Sequence, residues 1–295
     1  SWLENKVIIM LEPRRVAARM VAVQMAKLLG EEVGQSVGYQ VKMESCYSKQ
    51  TKLLVVTEAI LVRKLQSDQA LEDVSMVIFD EFHERSIDTD LSLALCLQVQ
   101  ELLRPDLKLL IMSATLDSLE LTNLLGKIPV ISSKGKIYDV ENIYLETNIK
   151  QPDIKSINTL LLNITLKAIK DDEGDILVFL AGAKEILRLQ NLLEESLKEK
   201  NIEILPLYST LSKEKQDKAI SKSDKRKIIL STNIAQTSLT IEGVKVVIDS
   251  GLEKVSRYNY SNAMNHLELS FISNDSATQR AGRAGRLSNG KCYKL

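Results

Sequence analysis

From Val7 to Asp249, short and almost unbroken apolar runs alternate with longer amphipathic stretches, and no other feature limits the fold as tightly. A strand buried on both faces reads as such a run, and the helices that cover it read as the amphipathic stretches. The alternation therefore implies an α/β class with parallel sheets. In the first half it predicts strands over residues 7–11, 53–57, 75–80 and 109–113, with helices over 14–29, 58–66 and 89–103. The second half repeats the plan, with strands over 176–180, 202–207, 227–231 and 244–249 and helices over 183–200 and 211–220. A last strand over 128–133 followed by Lys134-Gly135-Lys136 sets a boundary near Ser133, so two domains are expected, 1–133 and 134–295. From Leu252 to Ile272 the pattern changes to alternation around a polar tip, Asn259-Tyr260-Ser261-Asn262, which predicts a long antiparallel hairpin projecting from the second sheet.

Composition excludes several classes. Hydrophobic residues at 44% and charged residues at 26% are ordinary for a folded globular chain. Lys plus Arg and Asp plus Glu both number 39, so only a local basic surface could signal a polyanion partner. Cys46, Cys96 and Cys292 show no C-x-x-C spacing, which argues against a disulfide framework or a zinc site and for a reducing, cytoplasmic compartment. No stretch reaches the roughly 20 apolar residues of a membrane span. The opening Ser1-Trp2-Leu3-Glu4 is not a secretion signal, and the lack of an initiator Met suggests a piece of a longer chain.

Two strings carry chemistry. In Val77-Ile78-Phe79-Asp80-Glu81-Phe82-His83-Glu84-Arg85 an apolar strand ends in adjacent carboxylates, which places them at the carboxyl edge of a parallel sheet, where open α/β folds bind ligands. Asp80 is expected to hold a magnesium ion through hard oxygen ligands and Glu81 to orient or deprotonate an attacking water. A solvated strand end explains an Asp-Glu pair alone, but not the whole string. In Gln279-Arg280-Ala281-Gly282-Arg283-Ala284-Gly285-Arg286 three arginines at three-residue spacing share one helical face, and the small residues permit close backbone approach. Planar guanidinium forks in such a row can clamp phosphoryl oxygens.

Five strings follow one another in the order of motifs Ia, II, III, V and VI of DEAH-box superfamily 2 helicases: Leu11-Glu12-Pro13-Arg14-Arg15-Val16-Ala17-Ala18-Arg19, Asp80 to Arg85, Ser113-Ala114-Thr115, Thr232 to Thr240, and Gln279 to Arg286. The chain resembles that family over essentially its whole length. Its Asp-Glu-Phe-His variant and Leu207-Tyr208-Ser209-Thr210-Leu211 most resemble the bacterial HrpB-type branch. The resemblance implies two tandem RecA-like domains, ATP and Mg²⁺ as cofactors, and a motor that works on single-stranded RNA, with DNA left open. It implies that Asp80 and Glu81 handle magnesium and water, that His83 couples the nucleotide site to the second domain, and that Ser113 and Thr115 link hydrolysis to movement. Gln279, Arg283 and Arg286 would meet the nucleotide across a cleft from the acidic pair. Arg14, Arg15, Thr57, Glu58, Thr232 and Asn233 would grip nucleic-acid phosphates with little base specificity. The hairpin resembles the family's strand-separating element, and Tyr258 and Tyr260 are either stacking surfaces or cross-strand packing.

Departures qualify this. No Gly-x-x-x-x-Gly-Lys-Ser/Thr loop occurs, since Gly126, Gly135 and Gly290 precede Lys-Ile, Lys-Ile and Lys-Cys. Residues 1–295 alone are therefore expected to turn over ATP at most marginally, and a catalytically silent nucleic-acid-binding module is the alternative. Gln236 stands where the family usually has Glu, and Ala59 where it has Gly. Gln24 and Leu252 occupy the usual base-stacking positions, so weak base discrimination is expected.

Overall fold

A computed structural model describes residues 3, 6–114, 125–126, 128–133, 138–145, 154–197, 201–236 and 241–295. The chain divides into two compact units, Ser1–Lys134 and Gly135–Leu295.

The first unit contains β1 (Val7–Glu12), α1 (Arg15–Leu28), β2 (Val37–Val41), β3 (Glu44–Cys46), β4 (Leu53–Thr57), α2 (Glu58–Ser67), β5 (Val74–Phe79), α3 (Ile87–Leu102) and β6 (Lys108–Ile111). Its six strands lie in the order β3-β2-β4-β1-β5-β6, all parallel except β3. Alternation along each strand feeds two cores. Ile9 and Leu11 of β1, with Leu54 and Val56 of β4, face Leu61 and Leu65 of α2 and Leu93, Cys96 and Val99 of α3. Met10 and Val55 point the other way, toward Ala18, Ala22 and Ala26 of α1. Alanine at every fourth position gives α1 a smooth stripe that lies close to the sheet. β6 is an edge strand of the described sheet, and Leu110 on it is 40% exposed.

The second unit contains β7 (Val140–Tyr144), α4 (Ile154–Asp171), β8 (Asp175–Phe179), α5 (Ala183–Ser196), β9 (Ile202–Leu207), α6 (Lys213–Ile220), β10 (Arg226–Ser231), β11 (Val244–Asp249), β12 (Leu252–Asn259), β13 (Met264–Phe271), α7 (Asn274–Gly282) and β14 (Gly290–Lys294). The sheet order is β7-β14-β11-β8-β10-β9, with every pair parallel. Ile176, Val178, Ile228, Leu230, Val246 and Ile248 pack beneath Ile157, Leu161 and Ile164 of α4 and Ile186, Leu189 and Leu193 of α5. β12 and β13 form a separate antiparallel ribbon, Leu252 opposite Phe271 at its base and Asn259 opposite Met264 at its tip.

The α/β class, the parallel sheets and the hairpin match the expectation from the sequence. The expected strand over 128–133 does not form: those residues have no regular structure, Ile131 is 93% exposed, and the described sheet of the first unit ends at β6. Pro129 interrupts that apolar run and cannot donate to a ladder. No helix among the described residues is long and apolar enough to cross a membrane.

Candidate functional site

In the first unit the acidic pair follows directly from the end of β5. The Asp80 amide donates to Leu11 O at 3.1 Å, which carries the ladder one residue past the strand. Asp80 Oδ1 accepts the Glu81 amide at 2.8 Å. The chain then turns sharply, with Glu81 in the left-handed region at φ 49 and Phe82–Glu84 in a single 3-10 turn. Phe82 holds this turn down: its side chain is buried edge-on against Phe79 at 6.5 Å, and its amide donates to Met112 O at 3.1 Å. With Phe82 committed to the core, Asp80 and Glu81 are left half-buried at the carboxyl edge of the sheet.

His83 joins this turn to the segment after β6. Its Nδ1 accepts the Ala114 amide at 3.4 Å, a long hydrogen bond, so the neutral ring carries its proton on Nε2. Nε2 lies 3.4 Å from Glu81 Oε2, close enough for electrostatic attraction but not aligned as a hydrogen bond. Ser113 is half-buried beside this contact, and Thr115 lies outside the described residues. Among the described residues no group of three or more His, Cys, Asp or Glu can cage a metal. Two adjacent carboxylates suit Mg²⁺ in a different way, because that ion keeps several waters and takes only one or two carboxylates with substrate phosphate.

Along the same edge, α1 and α2 begin where β1 and β4 end. Arg14 and Thr57 are their N-caps, and neither side chain makes a capping hydrogen bond. α3 differs, since Ser86 Oγ accepts the Thr89 amide at 3.0 Å. The first-turn amides of α1 and α2 therefore point outward with the positive end of each helix dipole, a ready site for phosphate oxygens. Arg15 is exposed beside them. The Glu58 carboxylate is turned away from this role: it accepts from Ser86 Oγ at 2.7 Å and from Thr89 Oγ1 at 2.5 Å. What Glu58 can offer a phosphate is its backbone amide.

In the second unit, Thr232 and Asn233 start a short 3-10 turn at the carboxyl end of β10, both half-buried. The run 237–240 lies outside the described residues. Gln236 is the hub of this region, and the sequence alone marked it only as a departure. Its Nε2 donates to Ser276 Oγ at 3.0 Å and to Gln279 Oε1 at 3.2 Å, its Oε1 accepts from Arg280 Nε at 3.1 Å, and its carbonyl accepts from Arg283 Nε at 2.7 Å and also from Arg283 Nη2.

The three arginines do not form one outward row. Arg280 is wholly buried, donating to Asp249 Oδ1 at 2.9 Å with its guanidinium 4.9 Å from the Phe179 ring centre. Arg283 is buried against the Gln236 carbonyl, and Arg286 is exposed beyond the end of α7. The helix stops at Gly282, so the three-residue spacing no longer keeps all three on one face. Close approach is required at Gly285, where a Cβ would meet Tyr138 O at 2.7 Å, while Gly282 has open space around it. Leu252 is buried in the core of the second unit.

Residues 3–124 match the DEAD/DEAH box helicase family and residues 153–288 match the helicase conserved C-terminal domain. The chain is 45% identical over 288 residues to the ATP-dependent RNA helicase HrpB of Escherichia coli K12, covering 97% of this chain and 35% of that protein. It is 40% identical over 289 residues to the ATP-dependent RNA helicase HrpA of Borreliella burgdorferi, covering 96% of this chain and 34% of that one. A crystal structure of Escherichia coli DEAH/RHA helicase HrpB superposes with a TM-score of 0.88 at 44% identity, over 99% of this chain and 37% of the other. The chain thus spans about a third of the length of these relatives. By its two matched domains and its fold, the chain belongs to the DEAD/DEAH box helicases, in their HrpB-like branch.

Proposed function

We propose that the chain is the motor core of an ATP-dependent RNA helicase, coupling ATP hydrolysis to movement along single-stranded nucleic acid and to duplex unwinding. One observation carries the reading: Asp80 and Glu81 stand at the carboxyl edge of a parallel sheet on a turn anchored by Phe82, beside two helix N-termini with no side-chain caps. The relatives named as ATP-dependent RNA helicases support it.

In this reading Asp80, with Glu81 beside it, would hold the nucleotide's magnesium, and Glu81 orients and deprotonates the attacking water. Mg²⁺, when bound, neutralises charge on the phosphoryl oxygens. Through its ring contacts His83 keeps Glu81 in register with the segment that carries Ser113 and Thr115. Gln279, Arg283 and Arg286 meet the nucleotide's phosphates, Arg283 after releasing the Gln236 carbonyl. Arg14, Arg15, Thr57, Thr232, Asn233 and the Glu58 amide contact the strand's phosphates, and such contacts carry no base information.

The test is ATP turnover by the complete protein with matched single-stranded RNA and DNA. RNA-stimulated turnover is expected; stimulation by DNA alone indicates a DNA translocase, and strand binding with no turnover indicates a silent binding module. Residues 1–295 by themselves contain no Gly-x-x-x-x-Gly-Lys-Ser/Thr loop to cradle the phosphates. A phosphate-release assay on this segment is expected to give a marginal rate, and robust strand-stimulated turnover would refute the proposed dependence on that loop.

A further inference from the structure

We infer that Glu84 is a positioning residue that couples strand binding to the catalytic carboxylates, because it occupies the guanidinium that a strand phosphate would take. The inference rests on the reading of Arg14 as a phosphate contact and extends it. Arg14 Nη2 lies 3.2 Å from Glu84 Oε2 and 3.2 Å from Oε1, so one nitrogen sits between both carboxylate oxygens. The two side chains are 20% and 22% exposed, sheltered yet within reach of a ligand. A carboxylate and a phosphate at the same guanidinium compete, and their like charges repel.

Glu84 stands at the end of the turn that begins at Glu81, and its amide donates to Glu81 O at 2.9 Å. Residues with positive φ bracket this turn, Glu81 at φ 49 and Arg85 at φ 45. Neither is glycine, and such conformations persist only where the surroundings impose them. The Arg14–Glu84 pair is one of those restraints. The second restraint comes two residues later, where Ser86 and Thr89 both donate to Glu58. Each helix start read as a strand contact is thus tied to the segment just after the catalytic acids, α1 through Arg14 and α2 through Glu58. A phosphate that draws Arg14 away removes a restraint on the turn that carries Glu81. Where that restraint also alters nucleotide affinity, linkage requires nucleotide binding to alter strand affinity by the same factor; an effect on turnover alone carries no such reciprocity.

The experiment uses the complete protein, ATP and an unstructured polyuridine RNA, with Glu84→Gln, Arg14→Gln and the double variant. With its competitor neutralised, Arg14 in Glu84→Gln is expected to bind the strand about 5- to 10-fold more tightly, within the usual range of coupling between sites, and strand stimulation of ATP turnover is expected to fall. In the Arg14→Gln background the affinity effect of Glu84→Gln is expected to vanish. Should Glu84→Gln fail to fold, Glu84→Asp draws the charge back by one methylene and is expected to shift both quantities in the same direction by less. Unchanged affinity and stimulation in a folded Glu84 variant, or equal shifts with and without Arg14, would overturn the inference while leaving the helicase reading intact. If Arg14→Gln leaves strand affinity unaltered, the reading of Arg14 fails and the inference falls with it.

Discussion

Arg280 puts a guanidinium into the driest part of the second unit and holds it with Asp249, Gln236, the Leu252 carbonyl and the Phe179 ring. Removing one member of a buried ion pair strands the other, so Arg280→Met is expected to lower stability by about 3–5 kcal/mol. Urea unfolding checks this, and Arg280→Met combined with Asp249→Leu is expected to recover much of the loss; a single variant as stable as the parent would show that the pair contributes nothing. Spacing alone could not reveal this role. Three arginines at fixed intervals read as one row until the end of α7 at Gly282 and the position of Asp249 are known. The same limit applies to Glu58, which sits in the expected place at the β4–α2 junction while its carboxylate serves α3. Asp80 and Glu81 were legible because an apolar strand ending in acids fixes their position from local sequence. Gln236 was not, because its partners Ser276, Gln279, Arg280 and Arg283 lie 40 or more residues away.

Among the elements, several strands and helices were legible from local pattern, whereas the amphipathic helix α4 was not anticipated. β4, β9 and β11 fall on the expected residues because apolar residues dominate each, with only Glu203 in β9 and Lys245 in β11 breaking the run before its end. β2, with Gly38 and Gln40, and β14, with lysines at Lys291 and Lys294, lack that pattern and went unanticipated. The hairpin was legible because two segments that mix apolar and polar residues flank a polar tip, Asn259-Tyr260-Ser261-Asn262. Its base is fixed by Arg280 at the Leu252 carbonyl and by Lys254 on Glu185 at 2.9 Å, while its tip extends from the sheet. Near the tip Tyr258 and Tyr260 pack edge-to-face at 5.2 Å, and Tyr260 is 91% exposed. A ring so placed offers a stacking surface worth about 1–3 kcal/mol per base. Tyr260→Ala in the complete protein is therefore expected to weaken single-strand binding about 5- to 100-fold without changing the melting temperature, whereas unchanged affinity would restrict the ring to packing on Tyr258.

For the whole molecule, the described residues form two α/β units with separate cores, and each core holds a cysteine. Burial pushes the thiols of Cys96 in the first unit and Cys292 in the second up to about 12, while Cys46 is only half-buried. A thiol alkylator at neutral pH is expected to modify Cys46 in the native protein and the other two only on unfolding, each reporting on its own unit; rapid native labelling of all three would contradict the packing described. The central claim remains the chemical role of the acids at the end of β5. Its most direct test is Glu81→Gln in the complete protein, with nucleotide binding and strand-stimulated turnover measured side by side. A turned-over water that depends on Glu81 predicts a loss of about 100- to 10,000-fold in turnover with nucleotide affinity retained; turnover at the parent rate in a variant that still binds nucleotide would contradict it.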